Sequence, residues 1–149
     1  MTLGSLPVII PLAGAALALI AIRSVGLQRI IGLVASVASA LVAAVLVYEV
    51  DTSGSIVVEM GGWPAPLGIS LVVDRLAALL LATSTFTLLG VLVYAVAQGT
   101  SDRELPAFHA VYQILAAGVA LALLTGDLFT LFVAFEIMLT ASYVLMTHR

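Results

Sequence analysis

The chain has 149 residues and a formal net charge of −3; 63% of its residues are hydrophobic and only 9% are charged. Soluble domains carry roughly 25% charged and about 45–50% apolar residues, so a water-soluble core is excluded and an integral membrane protein is indicated. The absence of cysteine excludes disulfides, thiolate metal sites and iron–sulfur ligation, and five scattered arginines with no lysine make no nucleic-acid patch.

The first apolar run is Leu6–Ile22, with Pro7 and Pro11 in its opening turns. No positive charge precedes it, as one would in a signal peptide, so a retained helix is expected. The second span is Ile30–Tyr48. It places Gly32, Ser36, Ala40 and Ala44 four residues apart, a small-residue stripe that suits close helix packing. Residues 49–70 form the one sizeable loop. Ser55–Met60 reads as a strand, Gly61–Pro66 as a turn and Ile69–Leu71 as a returning strand, so a short external hairpin is expected. Trp63 in this loop reads as an interfacial anchor. The remaining spans are Leu71–Ala97, Phe108–Leu124 and Leu128–Met146. Helices satisfy their own backbone in lipid, so the expected fold is an all-α membrane domain over 1–149 with about five transmembrane helices.

Arg23 and Arg29 flank the first loop, Arg103 lies in the third and Arg149 follows the fifth span. The second loop carries Glu49, Asp51 and Glu59. The positive-inside rule then puts the N-terminus outside and the C-terminus of this chain in the cytoplasm.

Glu136 stands near the middle of the fifth span. A charged group there costs roughly 2.5–3.5 kcal/mol on insertion scales, so such a group usually faces a partner or a hydrated cavity. Thr140 and Tyr143, at i+4 and i+7, share its face of the helix. Proton or cation handling is the functional reading; a carboxyl that only ties helices together is the structural one. No cation of this chain lies at membrane depth, so Glu136 is either protonated at rest or paired with a group elsewhere.

Other polar residues have plainer readings. Asp127 is an expected N-cap of the fifth helix, and Asp74 with Arg75 is a cap or an ion pair. His109, at the start of the fourth helix, is an interfacial histidine or a proton-passing group. Tyr112 and Gln113 line a polar entrance or make interhelical hydrogen bonds. Thr83, Ser84, Thr85 and Thr87 can bond back to their own helix. No metal, nucleotide or cofactor motif is present, and a conventional enzyme is not expected.

Certain motifs resemble a known family. The run Gly61-Gly62-Trp63-Pro64-Ala65-Pro66-Leu67-Gly68-Ile69, followed by Val73-Asp74-Arg75-Leu76, is similar to the segment before the third helix of the D-type subunit of Mrp antiporters. Tyr112-Gln113-Ile114-Leu115, Leu124-Thr125-Gly126-Asp127-Leu128-Phe129, Leu131-Phe132-Val133-Ala134-Phe135-Glu136 and Ala141-Ser142-Tyr143 are similar to its fourth and fifth helices. The Mrp antiporters are multisubunit sodium/proton antiporters. Their superfamily includes the antiporter-like membrane subunits of respiratory complex I and of membrane-bound hydrogenases. The resemblance implies that this chain is the N-terminal part of a larger helix bundle. It implies Glu136 as the fifth-helix proton carrier, paired with a lysine on a later, broken helix that this chain lacks. Other membrane subunits of a sodium/proton antiporter, protons, Na+ and the bacterial cell membrane are the implied partners and setting. The rival readings are a proton-pumping subunit of a redox complex and a structural subunit with no transport of its own. These would be told apart by co-purifying redox subunits and by whether Glu136→Gln alters assembly rather than exchange.

Overall fold

The computed structural model describes residues 3–59, 69–99 and 104–147. The expected Gly61–Pro66 turn, the Trp63 anchor, the family-like motif through Gly68, and Arg103 and Arg149 lie outside the described residues.

A short 3-10 turn, Leu3–Ser5, leads into α1, Leu6–Ile20. Pro7 sits in the first turn, where a missing N–H does no harm. Pro11 is interior and removes one helical bond. α2 is Val25–Ser53, capped by the Ser24 hydroxyl, which accepts from the Leu27 N–H at 3.3 Å. It ends at Gly54, whose φ of 86° suits glycine alone. At 29 residues α2 is about 43 Å long, well beyond the roughly 30 Å of a hydrocarbon core. The predicted span Ile30–Tyr48 is shorter because hydropathy marks only the part that lipid covers.

The expected hairpin follows. β1, Ile56–Glu59, pairs antiparallel with β2, Ser70–Val73; Ile56 lies opposite Val73 and Glu59 opposite Ser70. Val58, Leu71 and Val73 are buried beneath it. The Gly4 turn packs so tightly on this hairpin that a methyl group on Gly4 would stand 2.8 Å from Val58 Cγ2. Leu71 also bridges to Thr125, and the Gly126 N–H donates to the Ser70 carbonyl at 2.8 Å. Residues 125–126 open the turn that follows the fourth helix. The hairpin, the N-terminal turn and that turn therefore share one end of the bundle.

α3 is Arg75–Gln98. Its cap is Asp74, whose Oδ1 accepts from the Ala77 N–H at 2.7 Å. The helix thus starts at Arg75, not at Leu71: the apolar run Leu71–Val73 belongs to β2, and hydropathy alone does not separate a buried strand from a helical turn. α4 is Phe108–Leu124 and α5 is Leu128–Thr147.

α1 packs on α4 and α2, α2 packs on α3, and α5 leans mainly on α4. Small side chains fill the crossings: Ala18, Ala40, Ala43, Ala117, Ala120 and Ala134 are buried, while Ile20, Leu41, Leu76 and Phe129 are exposed. Small residues inside and large apolar ones outside is the pattern of helices that associate in lipid. Of the expected stripe on α2, Gly32, Ser36 and Ala40 are buried and Ala44 is exposed. Among the described residues, α2, α3 and α5 are long and apolar enough to cross a membrane; α1 and α4 are apolar but shorter.

Candidate functional site

The site begins at the turn between α4 and α5. Asp127 caps α5 with both carboxylate oxygens: Oδ1 accepts from the Thr130 N–H at 2.6 Å and Oδ2 from the Thr130 hydroxyl at 2.9 Å. This fixes the first turn of α5. One face of the helix, carrying Thr130, Ala134 and Ala141, then turns inward and is buried. Gly118 supplies the close approach on the α4 side: a Cβ there would lie 3.0 Å from Ile137 Cγ2 and 3.0 Å from Met138 Cγ.

Glu136 follows from this packing. With Ala134 and Ala141 inward, position 136 falls on the outward flank of α5, and its side chain is exposed on the described surface. It lines an open-sided groove of about 470 Å³ between α4 and α5, together with Val111 and Ile114 of α4 and Thr140 of α5. The rest of the wall is apolar, formed by residues such as Phe132 and Val144. Among the described residues, no hydrogen bond or ion pair engages the Glu136 side chain. A carboxyl with a hydroxyl one turn away, on an otherwise apolar wall, can hold and release a proton. The described chain does not supply its counter-charge.

The structure brings Thr140 to Glu136 and leaves the other two candidates apart. Tyr143 is 67% exposed and lies outside the groove wall. His109, the second residue of α4, is only 1% exposed. Its ring packs against Gly32 of α2, where a Cβ would stand 2.9 Å from Nδ1. That places it on a different face of α4 from Val111 and Ile114. Tyr112 donates from its hydroxyl to the Leu88 carbonyl of α3. Gln113 makes interhelical bonds: Nε2 donates at 3.0 Å to the Gly32 carbonyl and at 3.0 Å to Ser36 Oγ. Ser36 is therefore a hydrogen-bond partner as well as a packing residue. Thr83, Thr85 and Thr87 do bond back to the Leu79, Ala82 and Thr83 carbonyls. Arg75 pairs with Asp51 at 3.8 Å, not with Asp74.

No family model matches the chain. Curated relatives do. The chain is 39% identical to the D-type subunit of the Na+/H+ antiporter of Bacillus subtilis over 140 residues, which is 94% of this chain and 28% of that protein. It is 40% identical to the corresponding Na+/H+ antiporter protein of Alkalihalophilus pseudofirmus, again over 94% of this chain and 28% of the relative. It is also 40% identical to the D-type subunit of a probable K+/H+ antiporter of Rhizobium meliloti, over 96% of this chain and 27% of the relative. Among solved structures, it matches a chain of the Mrp complex from a Dietzia species with a TM-score of 0.83 and 30% identity, covering 96% of this chain and 27% of that one. A chain of an archaeal membrane-bound sulfane sulfur reductase shares the fold, with a TM-score of 0.79 at 23% identity over 95% of this chain and 29% of that one.

The apolar helices and these matches define a multi-pass membrane protein with the helical fold of antiporter-like membrane subunits. Within that class, the chain is similar to the N-terminal part of the D-type subunits of Na+/H+ antiporters and of the Mrp complex. It spans a little over a quarter of the length of the relatives it matches, 28% of the Bacillus subtilis protein.

Proposed function

We propose that this chain supplies the opening helices of a proton-translocating subunit in a multisubunit cation/proton antiporter, with Glu136 as the mid-membrane proton carrier. The observation that carries this reading is the place of Glu136: mid-helix on α5, beside Thr140, on the wall of an open apolar groove. An ionisable group at that depth is costly unless something polar or charged covers it. The covering element would come from the rest of the subunit, and the resemblance implies a lysine on a broken helix in that role. Glu136 then alternates between neutral and ionised, biased by that charge. Thr140 is its immediate polar neighbour; Tyr143 continues the same helical face toward the C-terminus, and His109 stands apart from this route.

Na+ is the proposed exchanged cation, with K+ as the competing ion, since relatives carry both names. The proposed setting is the bacterial cell membrane beside other membrane subunits. The N-terminus would lie outside, with the hairpin end, and the C-terminus of this chain in the cytoplasm. Support for this orientation comes from Arg23 and Arg29 at the end opposite the hairpin, and from Asp51 and Glu59 next to it.

The deciding experiment is sodium-driven dissipation of a pH gradient in inverted vesicles. The assembled complex would contain the full-length protein, unaltered or with Glu136→Gln, at matched assembly. Loss of exchange with intact assembly supports the proton carrier. Full exchange in the variant would take Glu136 off the proton route and turn the weight to a structural role for the chain.

A further inference from the structure

We infer that the crossing of α1, α2, α3 and α4 binds one internal water molecule, held by Gln113 and Ser39. This site lies away from the Glu136 groove and does not depend on the antiporter reading.

Four polar side chains from three helices meet there. Gln113 is 1% exposed, Ser39 5%, Ser36 7% and Thr85 9%. Together with Pro7 and Pro11 of α1 they line a small cavity among buried residues. The space it offers to the centre of a water molecule is about 10 Å³. One water needs roughly 10–15 Å³ on that measure, plus two to four polar partners.

The partners are present. Both Gln113 amide protons that reach α2 are used, on the Gly32 carbonyl and Ser36 Oγ. The amide cannot be turned over, because Oε1 would then face the Gly32 carbonyl, acceptor against acceptor. Oε1 is therefore held in the other direction, buried and without a hydrogen-bond partner among the described residues. The Ser39 hydroxyl is in the same condition. One is an acceptor only; the other is a donor and acceptor. A water satisfies both by donating to Gln113 Oε1 and accepting from Ser39. Pro11 also lines the cavity, and with no N–H it leaves the Pro7 carbonyl, four residues back, without that helical bond.

Water fits better than the alternatives. A cation would find no carboxylate in the lining and no room for the six or so oxygens that hard cations take. A dry cavity would leave a buried acceptor and a buried hydroxyl unpaired, which native interiors rarely tolerate. The bound water ties Gln113 to Ser39 and so fixes the rotation of α4. The same rotation presents Val111 and Ile114 to the Glu136 groove, which makes the water site a positioning element.

Two measurements test this on the assembled complex. A cryo-EM map fine enough to show ordered waters should place a peak about 3 Å from both Gln113 Oε1 and Ser39 Oγ. An empty cavity, a direct Gln113–Ser39 bond, or a peak at cation–oxygen distances would overturn the inference. Thermal melting of Ser39→Ala and Ser39→Val gives an independent readout. With a bound water, both variants melt lower, and valine lower than alanine, because it displaces the water and strands Gln113 Oε1. In a dry cavity, alanine removes an unpaired hydroxyl and valine fills space. An unchanged or raised Tm in either variant would therefore sink the proposal.

Discussion

Gly118 of α4 lies directly against Met138 of α5: an added Cβ would stand 3.0 Å from Met138 Cγ, a tight contact, and 3.4 Å from the Met138 backbone nitrogen. A valine brings two further methyl groups into a space where a Cβ alone would already meet Ile137 Cγ2 and Met138 Cγ at 3.0 Å. Gly118→Val should therefore push the helices apart and lower the stability of the assembled complex by about 1–3 kcal/mol, the usual range for an overpacked core. Melting of the purified complex checks it. Proton-coupled exchange should fall in the same variant, since α5 carries Glu136.

The Asp127 cap offers a second test. It satisfies the Thr130 N–H at 2.6 Å and the Thr130 hydroxyl at 2.9 Å, so Asp127→Ala leaves two donors to find other partners. A loss of roughly 0.5–2 kcal/mol is expected for removing an N-cap. Asp127→Asn keeps an acceptor and should recover most of the Tm. An alanine variant as stable as the parent would mean that the turn is held by the Gly126–Ser70 bond instead.

Two aspartates at the hairpin end should behave differently. Asp74 caps α3 at 2.7 Å, whereas Asp51 meets Arg75 at 3.8 Å with both side chains well exposed, 74% for Arg75 and 72% for Asp51. Exposed pairs of this kind contribute little. Asp74→Ala should cost about 1 kcal/mol, and Asp51→Asn should leave the melting temperature within error. Reversed effects would show that the exposed ion pair, not the cap, anchors α3.

Much of this fold follows from local pattern. The apolar runs announce the five helices because lipid demands both length and apolarity, and a β-branched run at Ile56-Val57-Val58 before a Gly/Pro-rich stretch announces the hairpin. The polar ends of α2 escape notice because Val25–Arg29 and Glu49–Ser53 extend past the apolar part. Leu71 is ambiguous between strand and helix until its bridge to Thr125 is known. The place of Thr140 beside Glu136 follows from helical spacing. The burial of His109 does not: it depends on Gly32 of another helix leaving a slot for the ring. The Gln113 site is likewise a tertiary fact. A glutamine in an apolar run says that a partner must exist, but not that it is the Gly32 carbonyl and Ser36.

Glu136 supplies the sharpest prediction. Glutamine keeps the size and the hydrogen-bonding capacity of the side chain and removes only its ability to take up and release a proton. Packing is spared, because the side chain lines an open groove and the contact face of α5 is formed by Ala134 and Ala141. Glu136→Gln should therefore leave the assembled complex intact and slow cation-driven proton exchange by at least about tenfold, a barrier increase of roughly 1.4 kcal/mol. Glu136→Asp retains the carboxyl but withdraws it by one methylene, so partial exchange is expected. Thr140→Val, which keeps the shape of the neighbour and removes its hydroxyl, should fall between the parent and Glu136→Gln. Initial rates of pH-gradient dissipation in inverted vesicles rank the three variants. A ranking in which aspartate is as inactive as glutamine would mean that the position of the carboxyl, not just its proton, limits transfer to the group that covers the groove.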